Sequence, residues 1–311
     1  MTSLAREAFL SGLAAFQESL DEPRVLGKDD VGLFLRKGLT VAAYNLLETF
    51  VSSRLDELAG HVNGGVSQFL DLPEKLQRRA IVNSIQVGKS QISRAGIDLR
   101  ELRTFSESLG KSLSAVNASL KISSLTWKWQ GSNMGVDDYH AALRYFHVKN
   151  PWESVRLLAA RLSFPTVDYL GDPIDQKQDL KELLMERHRS AHEPSTSVTA
   201  LWLRTVPERI LKYAVTFDLL ASVAANLLRV GDSQMLSNEE YVDSKLISVR
   251  FVKARAKGFA EMLEGNTRAS RVGDSLPTLL AAASTRCTQQ QVLIEQSITG
   301  MTVTWSIPSV G

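Results

Sequence analysis

Five histidines, His61, His140, His147, His188 and His192, are the side chains of this sequence best suited to proton transfer near neutral pH. Two of them share the segment Met185-Glu186-Arg187-His188-Arg189-Ser190-Ala191-His192. Four residues apart on a helix, His188 and His192 lie on one face. Arg187 adds a guanidinium that keeps its proton and offers a planar fork of donors to phosphate oxygens. Imidazole and guanidinium together suit the breaking of a phosphate ester, one moving protons and the other neutralising charge. A metal site is disfavoured. No third ligand is placed, the spacing is not His-Glu-x-x-His, and Arg187 and Arg189 would repel a cation. No metal and no cofactor are expected.

Other motifs are weaker. Gly88-Lys89-Ser90 imitates the end of a phosphate-binding loop, but the first glycine of that loop would fall on Asn83 and no strand precedes it. A helix-surface reading is expected there. Trp127 and Trp129 could stack on bases, although packing in a core is the more frequent use of tryptophan. The single Cys287 cannot form an internal disulfide or a multi-thiolate metal site. A net charge of +2 over 311 residues excludes a protein that coats nucleic acid by bulk charge. No uninterrupted run of apolar residues reaches the roughly eighteen of a membrane helix, and Glu7, Gln17 and Glu18 break any leader-like core at the start. A cytoplasmic protein is expected.

The elements that must position these residues are mostly helical. Apolar spacing predicts helices over 2–20, 29–60, two or three within 73–120, 151–162, 175–192 and 198–229. In the 29–60 helix Val31, Phe34, Leu35, Leu39, Ala42, Leu46, Phe50 and Leu58 form a wide apolar face, with Asp29 or Asp30 as its cap. Residues 121–150 read as less regular. Glu193-Pro194 ends the 175–192 helix, and Pro207 kinks or restarts the last one. Beyond Gly231 the texture changes: 246–252 is β-prone, 275–287 is a short helix, and 291–307 is a hairpin turning at Thr299-Gly300. The expectation is a mainly α chain, with a helical domain over 1–237 and a small α+β appendage over 238–311.

Arg187, a polar residue after it and His192 five positions on resemble the signature of the HEPN superfamily. The stretch Phe34-Leu35-Arg36-Lys37-Gly38 through Tyr44-Asn45-Leu46-Leu47-Glu48-Thr49-Phe50 is similar to the first long helix of its RiboL-PSP-type group. Residues 150–170 resemble that group's connector helix. The resemblance covers roughly 27–230; where the family has glycine after the last histidine, this chain has Glu193-Pro194. It implies a HEPN-like helical bundle and a metal-independent endoribonuclease, a toxin or host-defence effector. Its 2′-hydroxyl chemistry would leave a 2′,3′-cyclic phosphate.

On that reading Arg187 stabilises charge, His192 moves protons, and His188 fills the tolerant second position. Glu48 and Asn45 orient Arg187 or His192 from the 29–60 helix. Five residues turn a straight helix by about 140° from Arg187 to His192, so convergence requires a frayed last turn or a second copy. The family's dimers supply the second. Expected partners are therefore RNA, a second copy of the chain, and an antitoxin or regulatory protein. A different class is also open: a non-catalytic helical module binding RNA, nucleotide or protein. Residues 238–311 contain no histidine and are expected to regulate or select substrate, with Lys253, Arg255 and Lys257 lining one strand face.

Overall fold

A helix that is apolar on every side must be enclosed, and α9 (Ala200–Arg229) is such a helix, buried at every residue from Ile210 to Leu228. The computed structural model describes residues 3–65, 69–94, 99–114, 122–129, 133–167 and 171–310. The other helices up to residue 237 are α1 (Leu4–Ser19), α2 (Pro23–Leu26), α3 (Asp30–Asn63), α4 (Glu74–Arg94), α5 (Leu99–Ser114), α6 (Val136–Tyr145), α7 (Pro151–Arg161), α8 (Gln176–His192) and α10 (Ser233–Ser237), of which α1, α3, α6, α7 and α10 pack on α9. The chain is mainly α, as its spacing predicts. The most tightly associated pair is α3 with α9. Among the described residues α9 is also the one helix long and apolar enough to cross a membrane, and its apolar stretch is buried inside the protein. Pro207 is taken up within it without ending it.

Local chemistry explains the ends. The Asp29 carboxylate accepts the Gly32 N–H at 2.9 Å and starts α3. Asp175 accepts from Lys177 and Gln178 at α8, and Thr199 accepts from Trp202 at α9. Two expectations are corrected. Val31 and Phe34 are not core residues: they are 54% and 76% exposed on the N-terminal half of α3. Residues 136–145 form the regular helix α6, with Val136, Tyr139, Ala142 and Leu143 buried at helical spacing. Gly88-Lys89-Ser90 sits within α4, which realises the helix reading. Asn83 is buried there, and its amide donates to the Leu125, Thr126 and Lys128 carbonyls. Trp127 is core, stacked on Phe146 at 4.7 Å between ring centroids; Gln130, Gly131 and Ser132 lie outside the described residues.

The C-terminal residues form β1 (Ser248–Ala254), β2 (Phe259–Leu263), β3 (Arg271–Gly273), α11 (Leu276–Ser284), β4 (Gln291–Gln296) and β5 (Thr302–Ser306). Strand order is β3-β2-β1-β4-β5, with β1 and β4 parallel and the other pairs antiparallel. The β4–β5 hairpin turns with Gly300 at φ +83°, a conformation that suits glycine. Alternate residues face opposite sides. Val249, Phe251, Val292, Ile294 and Trp305 join the helical core, while Val252 and Leu293 pack against Leu279 and Ala283 of α11. One apolar core therefore runs across residue 237. The basic strand face does not form: β1 ends at Ala254, the Arg255 N–H bonds to Gly258 O in the following turn, and the Lys253 ammonium sits 4.8 Å over the Phe251 ring.

A buried ionic cluster ties sheet to helices. The Asp218 carboxylate, wholly enclosed in α9, accepts from Arg6 at 2.9 Å, Arg54 at 2.6 Å, Ser222 at 2.6 Å and the Trp305 indole at 2.7 Å. Arg54 also pairs with Glu57 at 2.6 Å. A buried charge is tolerated only when it is paired and its lone pairs are satisfied, and Asp218 meets both conditions.

Candidate functional site

The face of α8 that packs on α3 carries Gln176, Leu180 and Leu183 inward, and Arg187 continues that stripe. Arg187 is half-buried. One terminal nitrogen donates to the Asn133 side chain at 3.1 Å, and its Nε is enclosed without an acceptor. Across from it, Tyr44 and Glu48 stand one turn apart on α3. The Glu48 carboxylate accepts the Met134 N–H at 2.6 Å and the Tyr44 hydroxyl donates to the Met134 carbonyl at 2.7 Å. Both residues thus grip the chain at the entrance to α6, the chain that also supplies Asn133.

Charge couples the group. Burial raises the Glu48 pKa, with the Asp138 carboxylate adding to it and the Met134 N–H and Arg187 opposing. Burial likewise raises Asp138, against the Gly135 N–H that it accepts at 2.8 Å. The Tyr44 hydroxyl is pushed well above its ordinary value, first by burial and then by Glu48 and Asp138. Arg187 is therefore the cation that opposes burial at Glu48, while Arg79 does so at Asp138.

His188 and His192 lie on another side of α8. Both are exposed, and their rings contact at 4.8 Å between centroids. His192 lines a groove of about 440 Å³ with Phe34, Lys37, Val41, Ser190 and Pro194. The Lys37 ammonium donates to the carbonyls of Glu193 and Pro194, each at 2.8 Å. A lysine from α3 thus satisfies the two carbonyls that follow the end of α8. Arg36, one residue before, is buried and donates to the carbonyls of Val25, Gly27 and Val198. The α8–α9 connector is thus held from α3 at both ends.

The structure brings Arg187 and Glu48 into one cluster, and His188 and His192 into another. Neither imidazole joins Arg187: α8 stays regular to its end, where the Glu193 N–H closes on Arg189 O at 2.8 Å. The frayed last turn is absent. Asn45 is exposed and makes no hydrogen bond to Arg187 or His192, so the orienting contact falls to Asn133. Pattern reading missed Asn133, Lys37 and Tyr44. Only Tyr44 left a signal, standing four residues before Glu48. Arg54 and His61, whose spacing loosely imitates the Arg–His pair, are accounted for structurally: Arg54 by Asp218, and His61 by Asn226 at 3.3 Å and Arg229 at 3.2 Å. Among the described residues no group of three or more His, Cys, Asp or Glu is gathered as a metal would require. Compared with protein-family models, with curated proteins and with solved structures, the chain has no match in any of the three, and the reading of the site rests on its own residues.

Proposed function

We propose that the protein is a metal-independent endoribonuclease with a HEPN-like helical body, acting as a toxin or host-defence effector. The observation that carries this reading is Arg187, half-buried with donors to spare beside Glu48, on the same helix end as two accessible imidazoles. In the reaction His192 takes the proton of an RNA 2′-hydroxyl as that oxygen attacks the adjacent phosphorus. The bond to the 5′-oxygen breaks, and that oxygen receives a proton from a second imidazolium. Arg187 neutralises the phosphorane oxygens. Glu48 and Asn133 position Arg187. Because about 140° separate Arg187 from His192 on a regular helix, a two-fold copy completes the cleft. Exposed Phe34, which lines the groove with Val41, gives that copy an apolar rim. An antitoxin or regulatory protein would be needed to restrain the activity.

RNA incubated with the protein in EDTA should yield fragments ending in 2′,3′-cyclic phosphate. Arg187→Ala and His192→Ala should each lower cleavage by about 10²–10⁴-fold, with His188→Ala milder. Cleavage that vanishes with chelator and returns with a divalent ion overturns the mechanism. The hydrogen bond that already occupies Arg187 favours a second reading, a non-catalytic module that binds RNA, nucleotide or a protein partner. Wild-type protein that binds RNA without cutting it would establish that reading instead.

A further inference from the structure

Between α4 and the C-terminal end of α6 lies a cavity of about 320 Å³, away from the groove that holds His192. Two adjacent arginines of α4, Arg78 and Arg79, face it. The Arg79 guanidinium lies 4.2 Å over the Tyr145 ring, with its Nε enclosed and unmatched by any acceptor. Burial lowers the Arg79 pKa, opposed by Tyr145 and the Asp138 carboxylate. Asp138 does not close on it, because that carboxylate is turned to the Gly135 N–H. Arg78 is exposed and enters no hydrogen bond or ion pair among the described residues. Arg144, also in the wall, is matched by Glu240 at 2.6 Å, and Glu239 is the one carboxylate among the described lining residues. A half-buried guanidinium without an acceptor is costly to keep, and the cation–π contact with Tyr145 offsets only part of that.

We propose that this cavity binds a nucleoside monophosphate, with the phosphate on Arg78 and Arg79 and the base against Leu76 and Val82. The cavity exceeds what a bare oxyanion needs and falls at the lower end of the range for small-molecule sites, about 300–1,000 Å³. A planar fork of donors matches phosphate oxygens, and an apolar wall beside it matches a base. The inference does not rest on the ribonuclease reading, since it involves none of Arg187, His188, His192 or Glu48.

Titration calorimetry of the full chain with AMP, GMP, CMP and UMP tests this, with inorganic phosphate and adenosine as controls. At least one monophosphate should bind once per chain, at least tenfold more tightly than phosphate or adenosine. Arg78→Ala and Arg79→Ala should each weaken it tenfold or more. Arg78 is exposed, so its variant decides the matter should Arg79→Ala fail to fold. No binding of any monophosphate at millimolar concentration overturns the proposal, as does unchanged affinity in Arg78→Ala. Phosphate binding as tightly as the best monophosphate overturns the nucleotide assignment.

Discussion

Asp218 has no exposed surface, yet it stays ionised. Burial alone would raise its pKa; Arg54 and Arg6 on either side, with the Ser222 and Trp305 donors, hold it far below the usual carboxylate range. A depressed folded pKa contributes stability that is present above the unfolded value, about 3.9, and is lost as pH falls toward the folded one. Asp218→Asn should therefore cost about 3–5 kcal/mol at pH 7, because Arg6 and Arg54 would be left without their counter-charge. Urea denaturation should show that penalty shrinking by about 1 kcal/mol by pH 3. A penalty identical at both pH values would mean that the charge of Asp218 is not what stabilises the fold. In the sequence Asp218 is visible only as one of two acids, with Glu208, in the 198–229 helix. Its partners are not, because Arg6 and Arg54 read as surface positions of amphipathic helices and only tertiary packing encloses them.

At the scale of elements, the connector between α8 and α9 depends on side chains of α3. Arg36 donates to the Val198 carbonyl of that connector and also to the Val25 and Gly27 carbonyls ahead of α3. Its replacement by alanine should lower stability by about 1.5–3 kcal/mol and increase amide exchange over residues 193–199 before it affects α9. Exchange that rises uniformly along the chain would show the connector to be held by something else. The helices themselves were legible from apolar spacing, with a cap to mark the start at Asp29, and so was the β4–β5 hairpin with its Gly300 turn. The helix α6 was obscured by Trp127, Trp129 and the glycines near it, which suggested a loop. The parallel pairing of β1 with β4 was hidden for a different reason: β2, β3 and α11 intervene, and hairpin rules describe only neighbours in sequence. For the candidate site, spacing singled out Arg187, His188 and His192 and the resemblance added Glu48 and Asn45, but a side chain such as Asn133 reaches Arg187 only through the fold.

For the molecule as a whole, one core joins the helices to the sheet. The inner face of β1, β4 and β5 is covered by helices, and Trp305 is enclosed with Phe9 and Phe50 at 6.2 and 5.9 Å between ring centroids. Thermal or urea unfolding should accordingly be a single transition, with far-ultraviolet circular dichroism and tryptophan fluorescence changing together. Two separated transitions would show that residues 238–311 fold as an independent unit. A chain cut after Ser237 should aggregate, since the cut uncovers the apolar surface on which Val249, Phe251, Val292 and Ile294 pack.

The Asp218–Trp305 bond also sets a clock for biosynthesis. Eighty-seven residues separate the two partners, and at about 5–20 residues per second a ribosome takes roughly 4–17 s to pass from one to the other. For that interval α9 exists without its lid of strands, and a nascent chain that already carries Arg6, Arg54 and Asp218 still lacks the indole that closes over them. The vulnerable period for this fold is thus the synthesis of residues 219–305, when a chaperone shielding α9 would have most to protect.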